Sequence, residues 1–292
     1  MVGRRAALLL VSLVLLWGGN WPILKVGLTH LQPVWFAVLR LGLGIATFVL
    51  VLAPRGRLRL PARADWPVVA SVGLLQMAAF MALINLALMW VPAGRSAILA
   101  YTTPLWVAPG AALFLGERLT RGGMAGVVLG LAGVAVLFNP AGFDWSDGHA
   151  LLGNGLLLLA AVVWAASILH VRGHRWHATA LELAPWQMLV GLVPLVPLAW
   201  GLEGAPRPDW SLEFWWIAAY NGPLATALAF WMAVTVNRSL PALTVSLAFL
   251  CIPAGGMVFS ALTLGERLSG TNLLGLALIV AGVGVVAASG RK

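Results

Sequence analysis

PAGRSAILAYTTPLWV (92–107), LFLGERLTRGGMAG (113–126) and GLAGVAV (130–136) return 149 residues later as PALTVSLAFLCIPAGG (241–256), LTLGERLSGTNLLG (262–275) and IVAGVGV (279–285). At that single offset 16 of the 45 positions from Pro92 to Val136 are identical. An apolar composition of this kind gives only about a tenth by chance, and self-similarity at a fixed period marks a repeat. The matches include Pro92/Pro241, Pro104/Pro253, Gly116 to Leu119 against Gly265 to Leu268, Gly126/Gly275 and Gly133/Gly282. The chain reads as a duplicated unit, with halves at 1–140 and 141–292.

Of the 292 residues 61% are hydrophobic and 9% charged, and the mean hydropathy is +0.95. A soluble domain carries about 25% charged residues, so water is not the main solvent of this chain. The 18 basic residues outnumber the 9 acidic ones, but they lie in short clusters between apolar runs. That is the pattern of cytoplasmic loops rather than of a nucleic-acid surface, and no nucleic-acid partner is expected. Cys251 is the only cysteine, which excludes an internal disulfide; it is expected to be a small buried apolar residue. The opening MVGRRAALLLVSLVLLWGG resembles a signal peptide, yet its apolar run continues past Trp21 without a small-x-small exit. A retained first span is expected.

A helix crosses ~30 Å of hydrocarbon with ~20 apolar residues. In that unit the chain holds ten candidates: 6–28, 33–53, 66–90, 94–115, 122–138, 149–171, 180–200, 213–236, 242–264 and 271–289. With the N-terminus inside, 13 Lys and Arg fall in inner segments and 4 in outer ones, namely Lys25, Arg95, Arg207 and Arg267. The bias places both termini in the cytoplasm of a multi-pass protein of a bacterial inner membrane. Five spans per copy is odd, so the second copy enters from the opposite side. The fold class expected is therefore all-α integral membrane, ten transmembrane helices as two five-helix inverted repeats. Trp17 then aligns with Trp164, Pro33 with Pro185, Trp66 with Trp215 and Gly73 with Gly222. Inverted repeats give secondary transporters two states of similar energy, and one chain supplies both halves, so a monomer suffices.

Ten spans in two halves, each with a proline-bearing fourth helix, then L-G-E-R-L-[TS] and a Gly-rich fifth helix with G-x6-G, resemble the EamA-type permeases. These belong to the drug/metabolite transporter (DMT) superfamily. The likeness covers the whole chain and is most specific at Leu115–Leu119 and Leu264–Leu268. Arg40 resembles an arginine usual at that place in the family, and the many ring residues along the spans are similar to those of its YddG-type exporters of aromatic amino acids. The resemblance implies alternating-access export of small metabolites from a central cavity.

The Gly-Glu-Arg-Leu turns are read as hairpins. Glycine ends one helix, Thr120 or Ser269 caps the next, and Glu117 and Glu266 lie beside a helix start. Gly126 and Gly275 belong to small-residue stripes that let the fifth and tenth spans approach each other or a neighbour. Arg40, inside the second span, is read first as structural and second as an anchor for a substrate carboxylate.

Helical spacing selects a cavity. Trp17, Asn20 and Leu24 share a face, as do Gln76, Phe80 and Leu83; Ala97, Tyr101 and Pro104; and Trp164 and Ser167. Tyr220, Pro223, Ala227 and Phe230 or Trp231 form another set, and Ser246, Phe249 and Pro253 the last. Pro22, Pro104, Pro223 and Pro253 are candidate helix breaks for gating. Trp35, Trp66, Trp90, Trp200 and Trp210 mark the membrane interfaces instead.

No Asp or Glu lies well inside a span, so facilitated diffusion or uniport is expected rather than proton antiport. No Lys/Arg pair suits a phosphate at mid-depth. No cofactor, metal or catalytic residue is indicated. An uncharged cavity of rings and amides suits an amino acid, aromatic or otherwise hydrophobic, as small-molecule substrate, with the lipid bilayer as the other partner. A broad drug exporter is the rival within transport. A membrane-embedded lipid-modifying enzyme is the rival outside it, with His170, His174, His177 and Glu182 as its nearest approach to a site.

Overall fold

The computed structural model describes residues 2–116, 120–138, 146–239, 249 and 251–289, and all regular structure among them is helical. The helices are α1 Val2–His30, α2 Pro33–Leu52, α3 Trp66–Ser71, α4 Phe80–Ala87, α5 Ala93–Ala100, α6 Thr103–Phe114 and α7 Arg121–Phe138. They continue with α8 Gly148–Gly173, α9 Ala180–Glu203, α10 Leu212–Ala219, α11 Ala229–Ser239, α12 Cys251–Leu264 and α13 Gly270–Ser289. Among the described residues, six segments are long and apolar enough to cross a membrane: Leu8–His30, Pro33–Arg55, Arg63–Ala87, Ala93–Phe114, Gly148–Gly173 and Ala180–Glu203. Arg121–Val136, Cys251–Leu264 and Gly270–Val286 are shorter apolar helices. Leu50, Leu113 and Leu262 are 75%, 79% and 77% exposed, an apolar outer surface that suits lipid and not water.

Two helices contain π-helical stretches at the same place in each half. Val72–Ala79 joins α3 to α4, and Tyr220–Leu228 joins α10 to α11. The fourth span is not one helix. It breaks at Tyr101 and Thr102, and Pro104 sits in the first turn of α6, where its missing N–H costs no hydrogen bond. Gly116 and Gly265 end α6 and α12 with φ of +67° and +66°, a left-handed conformation that glycine adopts without strain. Thr120 Oγ1 then accepts from the Gly123 amide at 3.1 Å, and Ser269 Oγ from the Asn272 amide at 3.2 Å. Both copies of the turn thus cap the following helix with the side chain the sequence singled out. Glu117 lies outside the described residues.

The helix pairs join one half to the other. α7 packs along α13, α1 along α12, α8 along α5 and α6, Val72–Ala79 along α9, and Tyr220–Leu228 along α2. The α7–α13 seam is built from glycine. A methyl group added at Gly126 would lie 2.6 Å from the Gly282 carbonyl oxygen, and one at Gly133 would lie 2.8 Å from that of Gly275. Small residues are what allow such an approach.

Carboxylates fasten the ends. Glu266 accepts from the Ala93 and Gly94 amides at 2.6 and 2.9 Å, closing the first turn of α5. Glu203 does the same for α2 through Val34 and Trp35, at 2.8 and 3.1 Å. Asp65, fully buried, accepts from the His177 and Ala178 amides at 3.0 Å each and meets the His174 and His177 rings at 3.3 Å. In every case the carboxylate and its amides belong to opposite halves. Lys25, expected in an outer segment, lies within α1 and donates to the Leu88 and Val91 carbonyls beyond α4. Cys251 corrects another expectation, being exposed at the start of α12. An apolar run does not by itself separate a face buried in protein from a face turned to lipid.

Candidate functional site

A cavity of about 90 Å³ lies where α1, α2, α4, α8, α11 and both π-helical stretches converge. α1 contributes Trp17, Asn20, Trp21 and Leu24; α2 contributes Arg40; Val72–Ala79 contributes Gln76 and Met77. α4 adds Phe80, Met81 and Ile84, and the break after α5 adds Tyr101. From the second half come Trp164, Ala225, Thr226 and Phe230.

Trp164 is the hub of the rings. Its centroid lies 4.8 Å from that of Phe80, 5.7 Å from Tyr101 and 6.5 Å from Trp17, the last two edge-to-face. These are the separations at which ring edges and faces attract. Trp21 backs Tyr101 at 6.4 Å, and Phe249 backs Trp17 at 5.8 Å. The Trp17 indole donates to the Ala225 carbonyl at 3.1 Å, and the Tyr220 hydroxyl to the Leu16 carbonyl at 2.6 Å. Both bonds tie α1 to the stretch Tyr220–Leu228. Asn20 is buried with its Oδ1 unpartnered among the described residues, an acceptor that hydrocarbon alone leaves unsatisfied.

Of the residues picked by spacing, Trp17, Asn20, Leu24, Gln76, Phe80, Tyr101, Trp164 and Phe230 meet on this wall. Tyr220 and Phe249 stand behind it through the contacts just given. Ser167 is buried away from it, and Trp231 packs into the apolar clusters around it. Ser246 lies outside the described residues. Among the prolines, Pro22 is buried within an unbroken α1, Pro104 opens α6, Pro223 lies inside Tyr220–Leu228, and Pro253 lies inside α12.

The wall residues that spacing missed are Trp21, Met77, Met81, Ile84, Ala225, Thr226 and, as a wall residue, Arg40. Ala225 and Thr226 replace the expected Ala227 for a definite reason. Bonding from i to i+5 over Tyr220–Leu228 puts more residues in each turn than the α-helical count assumes. The uncharged cavity is corrected as well. The Arg40 guanidinium lies on its wall, the one formally charged group among the described lining residues.

The EamA-like transporter family matches residues 4–139 and again 151–288. The chain belongs to that family. It is a multi-pass membrane protein of an EamA-like transporter lineage, a family of transporters rather than enzymes. It is similar to the "Uncharacterized transporter YvbV" of Bacillus subtilis, 31% identical over 97% of this chain and 91% of the relative. It is also similar to a "Probable terminal-alkyne amino-acid exporter" of Streptantibioticus cattleyicolor, 30% identical over 96% and 92% of the two chains. A protein known from its crystal structure shares the EamA-like fold, with a TM-score of 0.66 at 23% identity over 99% and 98% of the two chains.

Proposed function

We propose that this EamA-like protein exports amino acids with aromatic or other hydrophobic side chains across the bacterial inner membrane, by alternating access through the ring-lined cavity. The observation that carries the reading is the Trp164 cluster with Trp17, Phe80 and Tyr101, set beside the amides of Asn20 and Gln76 on a wall that both halves supply. Flat rings take an apolar side chain, and amides take the polar end of the molecule. The named activity of the Streptantibioticus relative supports the same substrate class.

The architecture proposed is ten spans in two inverted halves with both termini cytoplasmic. The two separate family matches, the excess of Lys and Arg on the inner side of the sequence-read spans and the exchange of helix pairs between halves support it. A cavity of about 90 Å³ is below the roughly 300 Å³ or more of a ligand pocket, which favours a reading in which the rings part to admit substrate. No carboxylate is among the described lining residues, which favours uniport or exchange over proton antiport. A guanidinium on the wall disfavours the lipophilic cations of a broad drug exporter.

Counterflow in proteoliposomes with labelled phenylalanine, threonine and a lipophilic cation, with and without a proton gradient, tests this. Phenylalanine should exchange, threonine more slowly, and the gradient should drive no accumulation. Movement of the cation alone would establish the drug-exporter reading instead, and uphill accumulation would establish proton coupling.

A further inference from the structure

We infer that Arg40 is the recognition point for a substrate carboxylate, so that the transported molecule must carry one. The inference rests on the cavity being the transport site and deepens that reading.

Arg40 is 7% exposed, yet lines the cavity from the middle of α2. A guanidinium has five N–H donors in a planar fork and never gives up its charge. Its Nε reaches Thr226 Oγ1 at 3.3 Å, and that is the hydrogen bond the described residues give it. None of the ion pairs among the described residues involves Arg40. The surrounding wall is mostly rings, thioethers and aliphatic groups, with the neutral polar groups of Asn20, Gln76, Tyr101 and Thr226 and no carboxylate among the described lining residues. A cation taken out of water is strongly destabilising unless an anion or several acceptors meet it.

A purely structural arginine in such a place satisfies itself on backbone carbonyls, as Lys25 does on Leu88 and Val91. Arg40 instead lines the cavity with its Nε bonded to a hydroxyl rather than to a carbonyl, and bidentate binding of a carboxylate is what a guanidinium fork fits best. The Asn20 Oδ1 on the same wall, buried and without a donor, is suited to an ammonium group. A zwitterion thus completes both orphaned groups at once. A neutral amide or an amine completes only one.

The experiment compares phenylalanine with phenylalaninamide, and 3-phenylpropionate with its amide, by calorimetric binding to the purified full chain in nanodiscs. The wild type should hold each carboxylate about 10–100-fold more tightly than its amide, the range of a charge-assisted hydrogen bond. Arg40→Gln should remove that preference and leave amide binding within about twofold, while Arg40→Lys, which keeps charge without the fork, should fall between. Equal binding of acid and amide by the wild type would overturn the assignment, and this comparison needs no variant to fold. So would an equal loss of both ligands in a stably folded Arg40→Gln, or no binding of either carboxylate. A preference for 3-phenylpropionate that depends on Arg40, without any exchange of amino acids, would uphold Arg40 and reject the amino-acid reading.

Discussion

Glu266, Glu203 and Asp65 stand at the ends of the bundle and Arg40 in its middle, and the protein treats the two sets of charges differently. At the ends each carboxylate receives two backbone amides from the opposite half, and Asp65 two imidazoles besides. In the cavity the guanidinium has one hydroxyl, and Asn20 Oδ1 nearby has nothing among the described residues. The geometry separates two uses of polarity in an apolar chain. Charges whose hydrogen bonds are complete hold the halves together, whereas Arg40 and Asn20 Oδ1, less fully bonded, lie on the cavity wall.

Substitutions at the ends should therefore lower stability and spare transport per folded molecule, and those in the cavity should do the reverse. The largest effect belongs to Asp65→Ala, which strands two amides in a buried place and should cost about 3 kcal/mol, read as a lowered melting temperature in detergent. Transport by the surviving folded fraction should be normal, and its loss without a melting shift would break the distinction. Next comes Trp164→Ala. One ring packed on the substrate's ring is worth about 0.5–1.5 kcal/mol, so phenylalanine affinity should fall up to about tenfold, with expression retained. Glu266→Gln keeps an acceptor but loses the charge at the start of α5, a change of about 1 kcal/mol, measurable as a shallow shift in thermal unfolding. A collapse of transport there with unchanged melting would move Glu266 from fastening to mechanism.

The smallest effect is a pH dependence at the loop between α9 and α10. The His30 ring, and then the Ser211 amide, hold the Asp209 carboxyl below the usual carboxylate range. A depressed folded value means that the contact stabilises the fold above about pH 3.9 and is lost as pH falls through the folded value. Melting curves between pH 3 and 6 should show this dependence in the wild type and lose it in Asp209→Asn.

Much of this was legible in the residues. The duplicated Gly-Glu-Arg-Leu turns disclosed the helix ends and caps at Gly116/Thr120 and Gly265/Ser269, because turn chemistry is local. The glycine stripes disclosed the α7–α13 seam for the same reason, since close approach demands small side chains. Seven of the ten ring and amide residues chosen by helical spacing reach the wall, among them Trp17, Phe80 and Trp164. What escaped were features fixed by partners distant in sequence. Glu266 reads as a loop carboxylate until the Ala93 and Gly94 amides are brought to it, and Arg40 reads first as structural until it is found on the cavity wall with one hydroxyl for a partner. Ala225 and Thr226 escaped because a period of 3.6 fails wherever the helix is wound more loosely.

That looser winding also fixes where two phenylalanines point. Phe80 begins the helix after Val72–Ala79, and Phe230 follows one residue into the helix after Tyr220–Leu228. Each owes its bearing to surplus chain stored just upstream. Rewinding 72–79 as an ordinary α-helix with the same number of residues would turn everything after it about the helix axis, swinging Phe80 off the wall, whereas excising one residue at the same time would largely restore its aim. In such a helix, residue count acts as an angular setting.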